Sequence, residues 1–171
     1  MWLTFRVLQV LLKNIFQPRL KSLSTTVVET FRVMPFDLDI FKHMNNARYL
    51  TYLEAIRWVL MLRTGLIGLA YREKWNSPLS HIDIRYLRPL KPFQKFTVSA
   101  SIIQVDDRFL HVYQEFRSGG KLMAQALVTG AVRSKEGSVA PEVYLGKLGY
   151  RVSDVVTPNE LRTWLKTFSG A

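Results

Sequence analysis

The sequence predicts an α+β fold: an antiparallel sheet of about five strands wrapped around one long central helix, with helical extensions at both ends. Three observations predict it. Residues 47–63 carry apolar side chains at three-to-four spacing, the mark of a helix with a buried face. Beyond residue 80, four segments alternate or run apolar in the manner of strands, with turn residues between them. One β-rich segment precedes the long helix. A lone helix beside such a sheet has one economical burial, with the sheet curled around it.

The elements follow in order. The N-terminus, "MWLTFRVLQVLLKNIFQPRLK", is apolar, but Arg6 and Lys13 interrupt it and Pro18 ends it. It is too short to cross a bilayer and has no small-residue cleavage site, so neither a spanning helix nor a signal peptide is expected. On a helical wheel Arg6, Gln9, Lys13 and Gln17 share a face, and Trp2, Phe5, Leu8, Leu12, Ile15 and Phe16 cover much of the rest. Such a helix either packs on its own domain or lies on a membrane, with Arg6, Lys13, Arg19 and Lys21 toward anionic headgroups.

Residues 26–34, "TVVETFRVM", read as a first strand closed by Pro35. The loop "FDLDIFKHMNN" leads into the long helix, in which Tyr49, Tyr52, Leu53, Ile56, Leu60 and Leu62 form the apolar face and Gly65 is the stop. In "HIDIRYL", Ile82, Ile84 and Tyr86 face one way, and His81, Asp83 and Arg85 the other. Then come "KFTVSASIIQV", "RFLHVYQEFR" and "KLMAQALVTGAVR". Asp106-Asp107 separates the first two, and Ser118-Gly119-Gly120 is a hairpin signal between the last two. Thr157-Pro158-Asn159-Glu160 has capping-box spacing and opens a helix to about Phe168, with Leu161, Trp164, Leu165 and Phe168 apolar. The 171 residues divide into an amphipathic helix (1–22), a main domain (23–137) and a C-terminal extension with a short helix (138–171).

Composition narrows the chemistry. There is no cysteine, which removes disulfides, thiolate metal ligands and a cysteine nucleophile, and fits a reducing compartment. Three His, at 43, 81 and 111, make a His-rich metal site improbable, so no metal or cofactor is expected, and His81 and His111 read as structural. No G-x-S-x-G elbow, P-loop or Rossmann fingerprint is present. The net charge of +11 attracts anions. Nucleic acid is disfavoured, because no zinc finger, RNP-type strand, GxxG loop or Arg-rich tail accompanies the charge. The expected setting is cytoplasmic, with residues 1–17 a candidate for peripheral contact with the inner face of a membrane.

The loop and helix start "DLDIFKHMNNARYL", followed by Glu54 and Arg57, resemble the hotdog-fold acyl-CoA thioesterases of the 4-hydroxybenzoyl-CoA thioesterase type. That family has an acidic loop D-x-D-x-x-G-H-V-N-N, a helix with Y-L, then E-x-x-R. Asp37, Asp39, His43, Met44, Asn45, Asn46, Tyr49, Leu50, Glu54 and Arg57 fill this frame, and "IRYLRPLKPF" resembles the family's second strand and turn. The form H-M-N-N-A-R-Y-L behind an apolar N-terminal helix is most similar to the bacterial thioesterase-family proteins and their animal relatives of the thioesterase-superfamily-member-six type.

The resemblance implies hydrolysis of an acyl-CoA thioester. Asp39 is then the catalytic carboxylate, as general base or nucleophile, and the backbone N–H of Asn46 serves the oxyanion. His43, Asn45, Tyr49, Glu54, Arg88 and Lys91 are the candidate substrate contacts; Lys95, Arg133 and Lys135 are further cations for the nucleotide phosphates. Asp37 reads as a structural acid bonding loop backbone. A homodimer or homotetramer with sites between subunits is also implied.

Two departures stand out: Lys42 where many relatives carry Gly, and Pro92-Phe93-Gln94-Lys95 where many carry Gly-Asp. Three other readings compete. A non-catalytic acyl-CoA or lipid-binding protein would bind without releasing thiol. A hydratase would need a His–carboxylate pattern that is absent. A nucleic-acid module would show salt-sensitive binding.

Overall fold

A computed structural model describes residues 2–166. The chain runs α1 (Trp2–Ile15), β1 (Val27–Arg32), a 3-10 turn (Pro35–Asp37), α2 (Asn46–Thr64), α3 (Leu66–Glu73), β2 (Leu79–Tyr86), β3 (Lys95–Val105), β4 (Leu110–Ser118), β5 (Lys121–Gly130), the small hairpin β6 (Val132–Ser134) and β7 (Gly137–Val139), α4 (Pro141–Lys147), a second 3-10 turn and α5 (Asn159–Lys166). Five strands form one antiparallel sheet in the order β1-β3-β4-β5-β2. The sheet wraps α2, and this is the hotdog fold.

α2 is buried on most of its circumference: Tyr49, Tyr52, Leu53, Ala55, Ile56, Val59 and Leu60 all pack inside. Each of the larger aliphatic side chains, Leu53, Ile56, Val59 and Leu60, contributes about 1.5–3 kcal/mol on removal from water. An aromatic row floors the N-terminal half of α2. Phe31 meets Tyr52 at 4.9 Å between ring centroids, Tyr52 meets Phe96 at 5.2 Å, Phe96 meets Phe116 at 5.9 Å and Phe116 meets Tyr49 at 4.9 Å. The helix ends at Gly65, whose φ of 85° lies in the left-handed region. A Cβ there would come 2.8 Å from Cζ of Arg19, a flexible side-chain end that can move aside, so it is the backbone conformation that favours glycine. Gly119 and Gly120, both at positive φ, close the β4–β5 hairpin.

The C-terminal helix covers the convex face of the sheet. Leu161, Trp164 and Leu165 of α5 pack on Ile103 and Leu127. The indole N–H of Trp164 donates to Asp83, and Arg85 lies over the same ring at 4.1 Å. Asp83 and Arg85 therefore face opposite to Ile82 and Ile84, as the alternation predicts. Thr157 donates its hydroxyl to the carbonyl of Ile103 and ties the entry of α5 to β3. Phe168 lies outside the described residues.

α1 packs on the domain, but rotated from the wheel: of its polar face only Arg6 turns inward, while Gln9, Lys13 and Gln17 stay exposed beside the apolar side chains. Arg6 and Asn14 point inward with Val10 and Leu11, while Leu8, Leu12, Ile15 and Phe16 are exposed, Phe16 by 88%. The inner groove is acidic, and that is the physical reason. Asn14 and Lys13 both donate to Glu29 of β1, a residue only 7% exposed, and Arg6 reaches the buried Asp37. A buried carboxylate needs partners more than an aliphatic side chain needs cover. The expectation that Arg6 faces headgroups is corrected accordingly. The side chains of Trp2 and Phe5 lie outside the described residues.

Candidate functional site

The loop between β1 and α2 is a closed turn. Leu38 and Met44 bridge its ends, and the N–H of Asp39 donates to the carbonyl of His43. Within it, Oδ1 of Asp39 accepts from the N–H of Phe41 at 2.9 Å and of His43 at 3.2 Å. Asp39 is thus a turn former through one oxygen. Its Oδ2 makes no hydrogen bond among the described residues, and the side chain is half-buried.

α2 begins directly after this turn. Asn45 is the N-cap, its side-chain oxygen accepting from the N–H of Ala47 at 2.8 Å. The N–H of Asn46, the first helical residue, has no hydrogen-bond partner among the described residues. A free N–H at a helix start, where the dipole is positive, suits a developing negative charge. A carboxylate oxygen and a helix-start N–H, both without partners among the described residues, therefore lie at the two sides of one tight loop.

Asp37 is fully buried. Its Oδ2 accepts from the N–H of Met34 (2.9 Å), the hydroxyl of Tyr52 (2.9 Å) and Arg6 (3.1 Å), and its carbonyl accepts from the N–H of Asn45 (2.8 Å). Burial first, and the Asp37 charge next, push the Tyr52 phenol up from its ordinary value, so it stays protonated and donates.

The other expected contacts divide. His43 bonds the turn through its backbone. Tyr49 is 2% exposed, in the aromatic row, with burial raising its pKa; it is a core residue. Glu54 lies two turns along α2, exposed, and accepts from the Trp58 indole at 3.4 Å. It does not meet Arg85, which is on the far face. Arg88 donates to the carbonyl of Leu122, and the N–H of Met44 donates to the carbonyl of Leu90, so residues 88–95, with Lys91 and Lys95, run alongside the loop. Arg133 pairs through its backbone with Asn76, at the Leu79 end of β2, whereas the hydroxyl of Tyr86 at the other end reaches the carbonyl of Asn46. Arg133 and its neighbour Lys135 are thus at the opposite end of the sheet from Asp39.

Three features escaped sequence reasoning. Arg6 enters the loop from α1. Arg57, its pKa lowered by burial, donates to Gln114, and Gln114, fully buried on β4, donates to the carbonyl of Leu53. A cavity of about 560 Å³ runs from Glu54 and Arg57 past Met61 and Ile67 to Leu79 and Val128, lined mainly by apolar groups. Its components are separated by up to 90 residues, from Glu54 to Tyr144, and no local pattern links them.

The two departures from the family frame have one physical meaning. Lys42 and Phe93 both have φ near 60°, the left-handed region in which glycine is least strained. Lys42→Gly is expected to raise stability by about 0.5–1 kcal/mol, read as an increased urea midpoint at unchanged slope.

The fold and the loop at the helix start define a class, the hotdog-fold thioesterases. The profile of the thioesterase-like superfamily matches residues 33–164, and the chain belongs to that family. Its enzyme class is that of a thioesterase. Protein THEM6 of Xenopus laevis is 27% identical over 168 residues, 96% of this chain and 79% of the relative. The long-chain acyl-CoA thioesterase FadM of Escherichia coli is 27% identical over 100 residues, 57% of this chain and 76% of the relative. The crystal structure of YbaW, a probable thioesterase from Escherichia coli, superposes with a TM-score of 0.67 at 23% identity, covering 75% of this chain and 98% of the other; that likeness bears on the fold.

Proposed function

We propose that the protein hydrolyses acyl-CoA thioesters to free acid and CoA, with Asp39 as the catalytic carboxylate. The observation that carries this reading is the pairing of the uncommitted Oδ2 of Asp39 with the unpartnered N–H of Asn46 across one closed loop. A thiol leaving group has a pKa of about 8.5, so it departs without strong protonation. The chemistry needs a carboxylate to activate water or attack the carbonyl, and a donor for the oxyanion. Both groups fit those needs. The apolar cavity begins at Glu54, two turns along α2 from Asn46, and is lined by none of residues 36–46; it suits an acyl chain that extends beyond the loop, and FadM, by its name, acts on long-chain acyl-CoA. Arg88, Lys91 and Lys95 suit the phosphates of the nucleotide.

The functional unit we infer is a dimer through β2. That strand pairs with β5 alone, is exposed or half-exposed along all eight residues, and borders the open cavity. Such an edge invites a second copy. Light scattering at micromolar concentration is expected to give at least twice the monomer mass; a monomer would contradict it.

No helix among the described residues is long and apolar enough to cross a membrane. The outward stripe of Leu8, Leu12, Ile15 and Phe16, flanked by exposed Lys13, Arg19 and Lys21, suits the surface of an anionic bilayer. Leu12→Glu with Phe16→Glu is expected to weaken sedimentation with anionic vesicles by about tenfold or more. Unchanged sedimentation would contradict lipid docking.

The enzymatic reading is tested by thiol release from short, long and aromatic acyl-CoAs. Turnover of any of them supports it. Saturable binding with no release would favour the non-catalytic acyl-CoA-binding alternative.

A further inference from the structure

We propose that Arg6 of α1 is a positioning residue for the Asp39 loop, acting through Asp37 and Tyr52, so that the N-terminal helix is a working part of the active site. The inference rests on Asp39 being the catalytic carboxylate. α1 lies outside residues 33–164, so Arg6 is not among the residues matched to the family.

The geometry is a clamp. Nη1 of Arg6 donates to the Tyr52 hydroxyl at 2.6 Å and to Oδ2 of Asp37 at 3.1 Å, and Nη2 donates to the carbonyl of Arg32 at 2.8 Å. The guanidinium also lies 5.4 Å from the Tyr52 ring centroid and 5.8 Å from that of Phe31. One side chain thus joins α1, the end of β1, α2 and the loop.

Asp37 is the point where this reaches the site. It is 0% exposed, and its Oδ1 is buried with no partner among the described residues. Arg6 is its one ion-pair partner among the described residues. Without Arg6, a buried carboxylate keeps only the Tyr52 hydroxyl and the Met34 N–H and must draw in water or move. Movement is transmitted directly. The carbonyl of Asp37 holds the N–H of Asn45, the residue that caps α2 and precedes the candidate oxyanion donor, and Asp39 is two residues away. A displacement of about 1 Å at such a site costs up to about 100-fold in rate.

The outer face of α1 does not explain Arg6. A helix held only by apolar packing, or meant only for lipid, would not send a guanidinium inward to a 0%-exposed acid.

The test uses the full chain. Arg6→Met is compared with wild type, with Arg6→Lys, and with Arg6→Met combined with Asp37→Asn, which removes the unpaired charge. Thiol release is measured well below each melting temperature. The expected result is a kcat about 10- to 100-fold lower for Arg6→Met, with KM changed by less than about threefold, and recovery of most of the loss in the double variant. Arg6→Lys, which keeps the charge, falls between. Should Arg6→Met fail to fold alone, the Arg6→Lys and double variants carry the same comparison: the double variant must exceed one-third of wild-type kcat.

Hydrogen exchange supplies a readout independent of activity. Amides 37–46 are expected to exchange about tenfold faster in Arg6→Met (in Arg6→Lys if that variant does not fold), while β3 and β4 are unchanged. A kcat within twofold of wild type together with a lowered melting temperature would make α1 a stabilising strap only and overturn the proposal. So would unchanged exchange over 37–46. If wild type turns over no acyl-CoA, the enzymatic reading fails, and exchange alone decides whether the clamp orders the loop.

Discussion

Asp39→Asn is expected to lower kcat for thiol release by at least about 100-fold, with melting temperature and acyl-CoA affinity close to wild type. The direction follows from which oxygen does what. Oδ1 of Asp39 holds the turn by accepting from the N–H groups of Phe41 and His43. An Asn side chain can keep that role with its amide oxygen, so the loop retains its shape. The other position becomes an NH₂ group, which can neither take a proton from water nor attack a carbonyl. The substitution therefore separates the structural oxygen from the chemical one. Asp39→Ala removes both and is expected to lose stability as well, by about 1 kcal/mol for the turn bonds. A side-chain change at Asn46 is expected to be milder, since the proposed oxyanion donor there is main chain.

The largest expected effect on stability is at Phe96, which is 1% exposed and touches the rings of Phe31, Tyr52 and Phe116. Phe96→Ala leaves a ring-sized gap beneath the N-terminal half of α2, where β3 and α2 have little freedom to collapse. The expected loss is about 3–5 kcal/mol. For a chain of this size that lowers the melting temperature by about 10 °C. The effect on activity is expected to follow, because Tyr52 rests on Phe96 and holds Asp37. Scanning calorimetry on the two proteins measures it, and a loss under 1 kcal/mol would mean that the aromatic row is not what supports the loop.

Much of this fold is legible in local pattern. β3 coincides with the run "KFTVSASIIQV", because period-two burial and flanking turn residues act within the segment itself. Gly65 and the Ser118-Gly119-Gly120 turn are legible because left-handed backbone selects glycine. α3, α4 and the β6–β7 hairpin are too short to show a period, at eight, seven and three residues per element. α4 carries a start signal in Pro141 and Glu142, but its buried residues, Pro141, Tyr144 and Leu145, are too few to mark a periodic face.

The orientation of α1, with Arg6 inward and Leu8, Leu12 and Phe16 outward, marks the same limit. A helical wheel reports which side chains share a face, not which face looks inward. Glu29 and Asp37 decide that, from strand and loop positions 15 or more residues away from their α1 partners. In the site, the Asp39 loop was legible from its resemblance to a family frame. Its support by Arg6 and Tyr52, and the place of Tyr49 in the core rather than the cleft, depend on three-dimensional packing.

The most direct measurement of whether Asp39 performs thioester hydrolysis combines turnover with binding in one pair of proteins. Thiol release from a long-chain acyl-CoA and the dissociation constant of its non-hydrolysable thioether analogue are measured on wild type and Asp39→Asn. The expected result is release by wild type, a rate at least about 100-fold lower in the variant, and equal affinity for the analogue in both. Equal release rates in both proteins, or a variant that is slower only because it no longer binds, would contradict Asp39 as the catalytic carboxylate.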